Sequence, residues 1–209
     1  DLHLGTARTA LFAWLKVRAA GGTLILREED LDAARVVPGA AERMRQDLRW
    51  LGLDFDEGPD EGGGRGPYRQ SERRAQYREA VATLDREGRV IRCFCTRAEV
   101  AAAAARAASA PHAGDDGPRY AGTCRDLGAE RIAELAQTRA PSLRFRVGEG
   151  SVAFEDELHG PVVEDVAQTV GDFVICRADG VPAYQLAVVV DDIAMGVTHV
   201  VRGDDLLPS

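Results

Sequence analysis

The stretch Thr23-Leu-Ile-Leu26 followed by Arg27-Glu-Glu-Asp-Leu-Asp32 decides the fold. A short apolar run of strand type ends abruptly in four carboxylates and one arginine. In open α/β sheets, ligands bind beyond the carboxyl ends of strands. Four carboxylates packed there repel one another unless a cationic ligand or an arginine answers them, and an α-ammonium group suits the place. Upstream, Asp1-Leu-His-Leu-Gly-Thr6 is polar and turn-like, and it runs into an expected helix over Ala7–Ala20. Leu11, Trp14, Leu15 and Val17 sit there near helical spacing, and Gly21-Gly22 stops the helix. Downstream, Pro38-Gly39 opens a second helix over Ala40–Leu51. Loop, helix, strand, acidic loop, helix is the rhythm of an α/β fold with a parallel sheet.

Further along, Asp56–Pro67 holds five glycines and two prolines and reads as a surface loop. Ser71 is expected to cap a third helix that carries Arg74, Tyr77, Val81 and Leu84 and ends at Gly88. Val90–Cys95 enters a strand or a knuckle. Thr96–Ala108 is helical, Ser109–Gly117 is loop, and Tyr120–Cys124 is a tight turn. Leu143–Val147 alternates as a half-buried strand, and Ser151–Gly160 continues in strand or turn. Asp172–Cys176 is a strand. Periodicity does not decide between strand and helix for Tyr184–Val190. Thr198–Arg202 reads as a last short strand.

The chain has 209 residues, 26 basic and 34 acidic, for a net charge of −8, and 45% of it is hydrophobic. That composition belongs to a folded globule, and the acidity argues against a non-specific DNA coat. No apolar run approaches the roughly 20 residues of a membrane helix, and no signal peptide is expected. Lys16 is the only lysine. Arginine forms the better fork for carboxylates and phosphates. Four cysteines are too few for a disulfide scaffold, so a cytoplasmic protein is expected.

Several motifs carry chemistry. His3-Leu-Gly5-Thr6 before a helix offers an anion, such as a triphosphate, the helix N-terminus and a histidine donor. Cys93, Cys95 and Cys124 supply three thiolates of a tetrahedral zinc site, and spacing alone nominates His112 as the fourth ligand. Cys176 lies apart and reads as a core residue. Tyr184–Asp192 and Val200–Leu206 again place polar groups at element ends, and Arg202 can clamp a carboxylate through both its nitrogens.

Together these residues resemble the class I glutamyl-tRNA synthetase group. Leu2-His-Leu-Gly-Thr-Ala-Arg-Thr-Ala-Leu11 is similar to its first signature. Arg27–Asp32, Tyr68-Arg-Gln-Ser-Glu-Arg73, Tyr184–Asp192 and Val201-Arg-Gly-Asp-Asp205 follow in order. The resemblance implies a Rossmann-type parallel sheet with an inserted α+β zinc-binding subdomain. The catalytic domain would span residues 1–88 and 171–209, with the connective insert at 89–170.

The group has two branches. Full glutamyl-tRNA synthetases charge the 3′ end of tRNA(Glu). A shortened paralogue, glutamyl-Q tRNA(Asp) synthetase, loads the queuosine base of tRNA(Asp). Asp56–Gly63 and Gly66-Pro-Tyr68 resemble the full enzyme. Val36–Ala40, Ser109–Ala113, Asp126 and Asp205-Leu-Leu207 resemble the paralogue, which is favoured.

The resemblance implies zinc held by Cys93, Cys95, Tyr120 and Cys124, and here Tyr120 overrules His112, which stays the fallback. It implies glutamate held by Glu29 (ammonium side), Tyr184 and Arg202 (side-chain carboxylate). It implies ATP with Mg²⁺ at His3, Gly5 and Thr6, with Asp205 near the ribose and His3 as the catalytic residue. Val188 stands where some full enzymes have an asparagine, so no contact is carried over there. The implied partners are L-glutamate, ATP and tRNA, with no membrane, in a monomer. The family's Arg-x-Ala-Pro-Ser-Pro-x-Gly run does not precede Asp1, and the chain stops before the Lys-Ser-Lys-type loop, so an incomplete enzyme is expected. Two rival classes are another nucleotidyltransferase with a His-x-Gly-led helix and a zinc-knuckle RNA-binding module without activity.

Overall fold

The computed structural model describes residues 2–106 and 119–203. The chain forms two compact units. One runs from the N-terminus to Arg78 and resumes at Ala187; the other runs from Glu79 to Leu186. No described helix is long and apolar enough to cross a membrane.

The first unit opens with helix α1 (Leu4–Ala20), which starts three residues earlier than expected. The His3 side chain caps it: the Gly5 N–H donates to His3 Nδ1 at 3.1 Å, and the Ala7 N–H donates to the His3 carbonyl at 3.0 Å. Gly5 and Thr6 therefore lie inside the first turn. The C-terminus closes on Gly21 at φ 64°, a left-handed conformation that suits a residue without a Cβ. No residue of α1 is buried. Helix α2 (Ala40–Trp50) follows and buries Arg45 and Leu48.

The expected strand at Thr23–Leu26 pairs only through isolated parallel bridges, Ile25 with Glu57 and Glu28 with Arg69. The reason is a change of partner. The Leu26 N–H donates to the Glu57 carbonyl, and two residues later the Glu28 N–H donates to the Tyr68 carbonyl, both at 2.9 Å. The glycine-rich loop separates those two partners, so no continuous parallel ladder forms among the described residues. Buried Glu57 ties the loop down by accepting from the Tyr68 hydroxyl and from Arg65.

Ser71 does not cap a helix. It lies in a 3-10 turn (Gln70–Arg73), and helix α3 (Arg74–Arg86) starts after it. Its N–H and hydroxyl both donate to Asp30, at 2.8 and 2.6 Å. The acidic loop has taken the side chain that capping would need.

In the second unit, β1 (Val90–Cys93) leads to helices α4 (Arg97–Arg106) and α5 (Ala129–Ala136). Then come β2 (Ser142–Phe145), the hairpin strands β3 (Val152–Asp156) and β4 (Gly160–Glu164), the short helix α6 (Val166–Thr169) and β5 (Val174–Cys176). The sheet order is β1-β2-β5, antiparallel throughout, with Cys93 opposite Ser142 and Ile91 opposite Arg144. Its core gathers Ile91, Cys93, Val100, Tyr120 and Cys124.

Helix α7 (Tyr184–Met195) settles the segment that periodicity left open. Ala187, Val188, Asp191 and Met195 are buried, whereas Val189 and Ile193 are more than half exposed. Three- and four-residue spacing of buried positions is a helical pattern. The expected strand at Thr198–Arg202 is absent: those residues are irregular, and no described neighbour offers them a ladder.

Asp56 secures the strand-like segment from the side. It accepts from the Leu24 N–H at 2.7 Å and from Arg18 at 2.8 Å. These bonds, the backbone one foremost, hold its carboxyl below the usual range. A depressed carboxyl stabilises the fold above its unfolded value of about 3.9, and that contribution is lost as pH falls through the folded value. Asp56→Asn should therefore flatten the loss of thermal stability between pH 5 and pH 2, roughly the titration range of a free to a paired carboxylate. Parallel melting-versus-pH curves for parent and variant would contradict this role.

Candidate functional site

The acidic loop after Leu26 is answered by arginines rather than left to repel. Glu28 pairs with Arg45 and with Arg69. Glu29 meets Arg27 at 3.5 Å. Asp32 meets Arg35 at 3.6 Å. Asp30 is held by Ser71. Each carboxylate of the loop thus has a partner, the Glu28 pairs being the more shielded.

Arg27 is the joint of this lattice. Its guanidinium donates to Asp192 at 2.8 Å and lies 3.5 Å from Asp191. Asp192 in turn faces Arg202 at 3.9 Å. Glu29, Arg27, Asp192 and Arg202 therefore form one chain of alternating charge. Tyr184 opens α7 in the other unit and is 41% exposed.

Beneath the lattice lies Asp191, fully buried. It accepts from Arg73 Nε at 2.6 Å, from Gln70 Nε2 at 2.9 Å and from the Tyr77 hydroxyl at 2.9 Å. A buried carboxylate is tolerated only when it is paired and hydrogen-bonded in this way. Burial, then the bond to Asp191, pushes the Tyr77 hydroxyl well up, so Tyr77 stays a donor. Sequence reading missed this hub. Its signal was the spacing of Gln70, Arg73 and Tyr77, which puts two polar groups and a phenol on one helical face, opposite an apolar run that ends in aspartate.

His3 is exposed at the tip of α1, and the preceding Leu2 N–H donates to Asp47 of α2 at 3.1 Å. Because Nδ1 accepts from Gly5, the neutral ring carries its N–H on Nε2. An exposed helix N-terminus with a ring N–H donor beside it is suited to an anion. Asp205 and His112 lie outside the described residues.

The second unit holds a thiol cluster. The sulfurs of Cys93, Cys95 and Cys124 all lie within 4.8 Å of one another, and none forms a disulfide. The Cys95 and Cys124 sulfurs are 3.6 Å apart. Four ligands at about 2.3 Å around a tetrahedral zinc place sulfurs about 3.8 Å apart, so the donor set fits such an ion. The Tyr120 hydroxyl lies 3.5 Å from the Cys93 sulfur and accepts from the Cys124 N–H at 2.5 Å. Burial, then the neighbouring Cys124, pushes the Cys95 thiol up to about 12. Burial also raises Cys93, but hydrogen bonds from Tyr120 and Arg144 overcome that and hold it low. Three sulfurs crowded together, two of them buried, can hold a metal ion.

The family described as tRNA synthetases class I (E and Q), catalytic domain, matches residues 1–209. The chain belongs to this family. The synthetase domain is 57% identical, over its whole length, to the glutamyl-Q tRNA(Asp) synthetase of Symbiobacterium thermophilum, of which it covers 64%. It is 50% identical over 99% of its length to the glutamyl-Q tRNA(Asp) synthetase of Nitratidesulfovibrio vulgaris, covering 63% of that protein. To the glutamate–tRNA ligase of Symbiobacterium thermophilum it is 46% identical over its whole length, covering 42%. The synthetase domain thus spans less than two thirds of these curated relatives. The crystal structure of the Elizabethkingia anophelis glutamate-tRNA synthetase superposes with a TM-score of 0.83 at 33% identity, over 99% of this chain and 43% of that one. The mixed α/β content of the two units is that of a class I synthetase catalytic domain.

Asp191→Ala in the synthetase domain should cost about 3–5 kcal/mol, because it strands the buried Arg73 charge and leaves Gln70 and Tyr77 without their acceptor. Asp60→Ala, which removes the more exposed partner of Arg45 and Arg49, should cost about 1 kcal/mol or less. Urea unfolding of both variants checks the contrast, and equal midpoints would remove Asp191 from its supporting role.

Proposed function

We propose that the synthetase domain activates L-glutamate with ATP and passes it to the queuosine base of tRNA(Asp). The observation that carries this reading is the alternating chain Glu29, Arg27, Asp192, Arg202. It sets a carboxylate and a guanidinium at opposite ends, as an amino acid with an ammonium group and a second carboxylate requires. The branch is supported by relatives at 57% and 50% identity that carry the glutamyl-Q tRNA(Asp) synthetase name.

In this reading the family resemblance assigns Glu29 to the α-ammonium group, and Arg202 and Tyr184 each to the side-chain carboxylate. One oxygen of the α-carboxylate attacks the α-phosphorus of ATP, the bond to the bridging oxygen breaks, and pyrophosphate leaves. Such an in-line displacement needs positioning and charge neutralisation more than covalent help. His3 Nε2–H and the Thr6 N–H supply donors to the phosphates of ATP, which arrives with Mg²⁺; the Gly5 N–H is held by His3 Nδ1, so Gly5 contributes close backbone approach, and Asp205 is assigned to the ribose. A hydroxyl of the queuosine ring then attacks the activated carbonyl and AMP departs.

Residues 1–88 and 171–209 are read as the halves of a Rossmann-type catalytic domain, and 89–170 as its connective insert. There Cys93, Cys95, Tyr120 and Cys124 are read as the holders of a zinc ion. Four protein ligands leave no open position, so the ion would brace the insert and take no part in the chemistry.

The second reading, charging of tRNA(Glu), is favoured by the 46% identity to a glutamate–tRNA ligase. Radiolabelled glutamate offered to the full-length protein with tRNA(Glu) or queuosine-bearing tRNA(Asp) separates them. Label on the anticodon base of tRNA(Asp) is the expected result, and label on the 3′ end of tRNA(Glu) contradicts it. Arg202→Ala should lower glutamate-dependent ATP–pyrophosphate exchange roughly 30-fold or more, the equivalent of losing one partner of a buried charge pair. Unchanged exchange would remove Arg202 from the site.

A further inference from the structure

Arg144 sits on β2, opposite Ile91 of β1, in the sheet that carries Cys93. Its guanidinium carbon lies 4.0 Å from the centre of the Tyr120 ring. It is half-buried, and its Nε is fully buried with no hydrogen-bond partner. Among the described residues no carboxylate pairs with it. The carboxylate of Asp172 is committed to Arg125 and to the Val147 N–H, so Asp172 offers Arg144 only its carbonyl, at 2.9 Å. A shielded guanidinium without a carboxylate is costly unless another negative charge answers it.

We propose that Arg144 is the counter-cation of the thiolate metal centre and the residue that positions Tyr120 in it. The inference rests on the zinc reading of that cluster. Three thiolates around one divalent ion leave a net negative charge, in a pocket where Cys93, Cys124 and Tyr120 are all buried. Arg144 brings one positive charge to that pocket and, by lying over the Tyr120 ring, holds the phenol oxygen beside Cys93 and Cys124. It is not itself a ligand; its effect runs through its charge beside Cys93 and through the ring it covers.

The test is zinc affinity of the full-length apo protein, measured by competition with a chromogenic chelator. The parent should take up one zinc per chain. Arg144→Met keeps an apolar stem and removes the charge; it should weaken zinc roughly 10- to 100-fold, the usual effect of losing an outer partner of a metal ligand. Arg144→Lys keeps the charge but not the planar group over Tyr120, so it should fall between the parent and Arg144→Met, with a loss below about tenfold. If Arg144→Met does not fold, as judged by far-ultraviolet circular dichroism, Arg144→Gln replaces it in the same assay. Parent-like affinity in the uncharged variant would overturn the proposal. So would a loss in Arg144→Lys as large as in Arg144→Met, which would assign the effect to stacking alone. A parent that binds no zinc would overturn the zinc reading and this inference together, whereas intact zinc binding with an unaffected Arg144→Met overturns only the inference. Neither result bears on glutamate activation.

Discussion

The bonds to the Asp191 carboxylate hold the first unit together where its chemistry is read to occur. A carboxylate stripped of water is unfavourable by itself, and this one is kept by the donors of Gln70, Arg73 and Tyr77, with Arg27 beside them. The consequence is geometric. The 3-10 turn at 70–73 and helix α7 cannot shift past each other without stranding that charge. Arg27, fastened between Asp191 and Asp192, is thereby held at the root of the acidic loop. The charges that face outward, Glu29 and Arg202, inherit their directions from charges that face inward.

The same logic recurs in the second unit with a different currency of charge. There the groups are thiols that a bound metal ion would ionise, and the guanidinium nearest to them lies over a phenol ring instead of forking onto a carboxylate. Asp172, which has a carboxylate to offer, uses it on Arg125 and the sheet backbone. A chain with a single lysine relies on planar guanidinium groups for both tasks.

Much of the fold was legible because the punctuation was strong. Gly21, Gly39 and Gly88 mark element ends, and the alternation at Leu143–Val147 announced a strand. Tyr184–Val190 was not legible, since an apolar run of that length suits strand and helix alike; burial at 187, 188, 191 and 195 decided it. The segment at 198–202 looked like a strand by composition but has no described partner, and a strand is defined by its neighbour. Thr23–Leu26 kept its direction but not a ladder, because its pairing switches from Glu57 to Tyr68 across a loop. For the site, all four residues of the charge chain stand in motifs readable from the sequence, whereas the pairings between them are not readable there. Arg27, Arg73 and Arg144 each matter through a partner distant in sequence, and one sequence does not show which arginine meets which acid.

The most direct test of the Asp191 anchor is a double-mutant cycle on the unfolding free energy, built from Arg73→Met and Asp191→Asn. Two residues in one buried network should couple by roughly 2–3 kcal/mol, so the double variant should be far more stable than the two single losses added together predict. Additivity within about 0.5 kcal/mol, as for independent sites, would contradict the claim that this carboxylate and its arginine act as one unit.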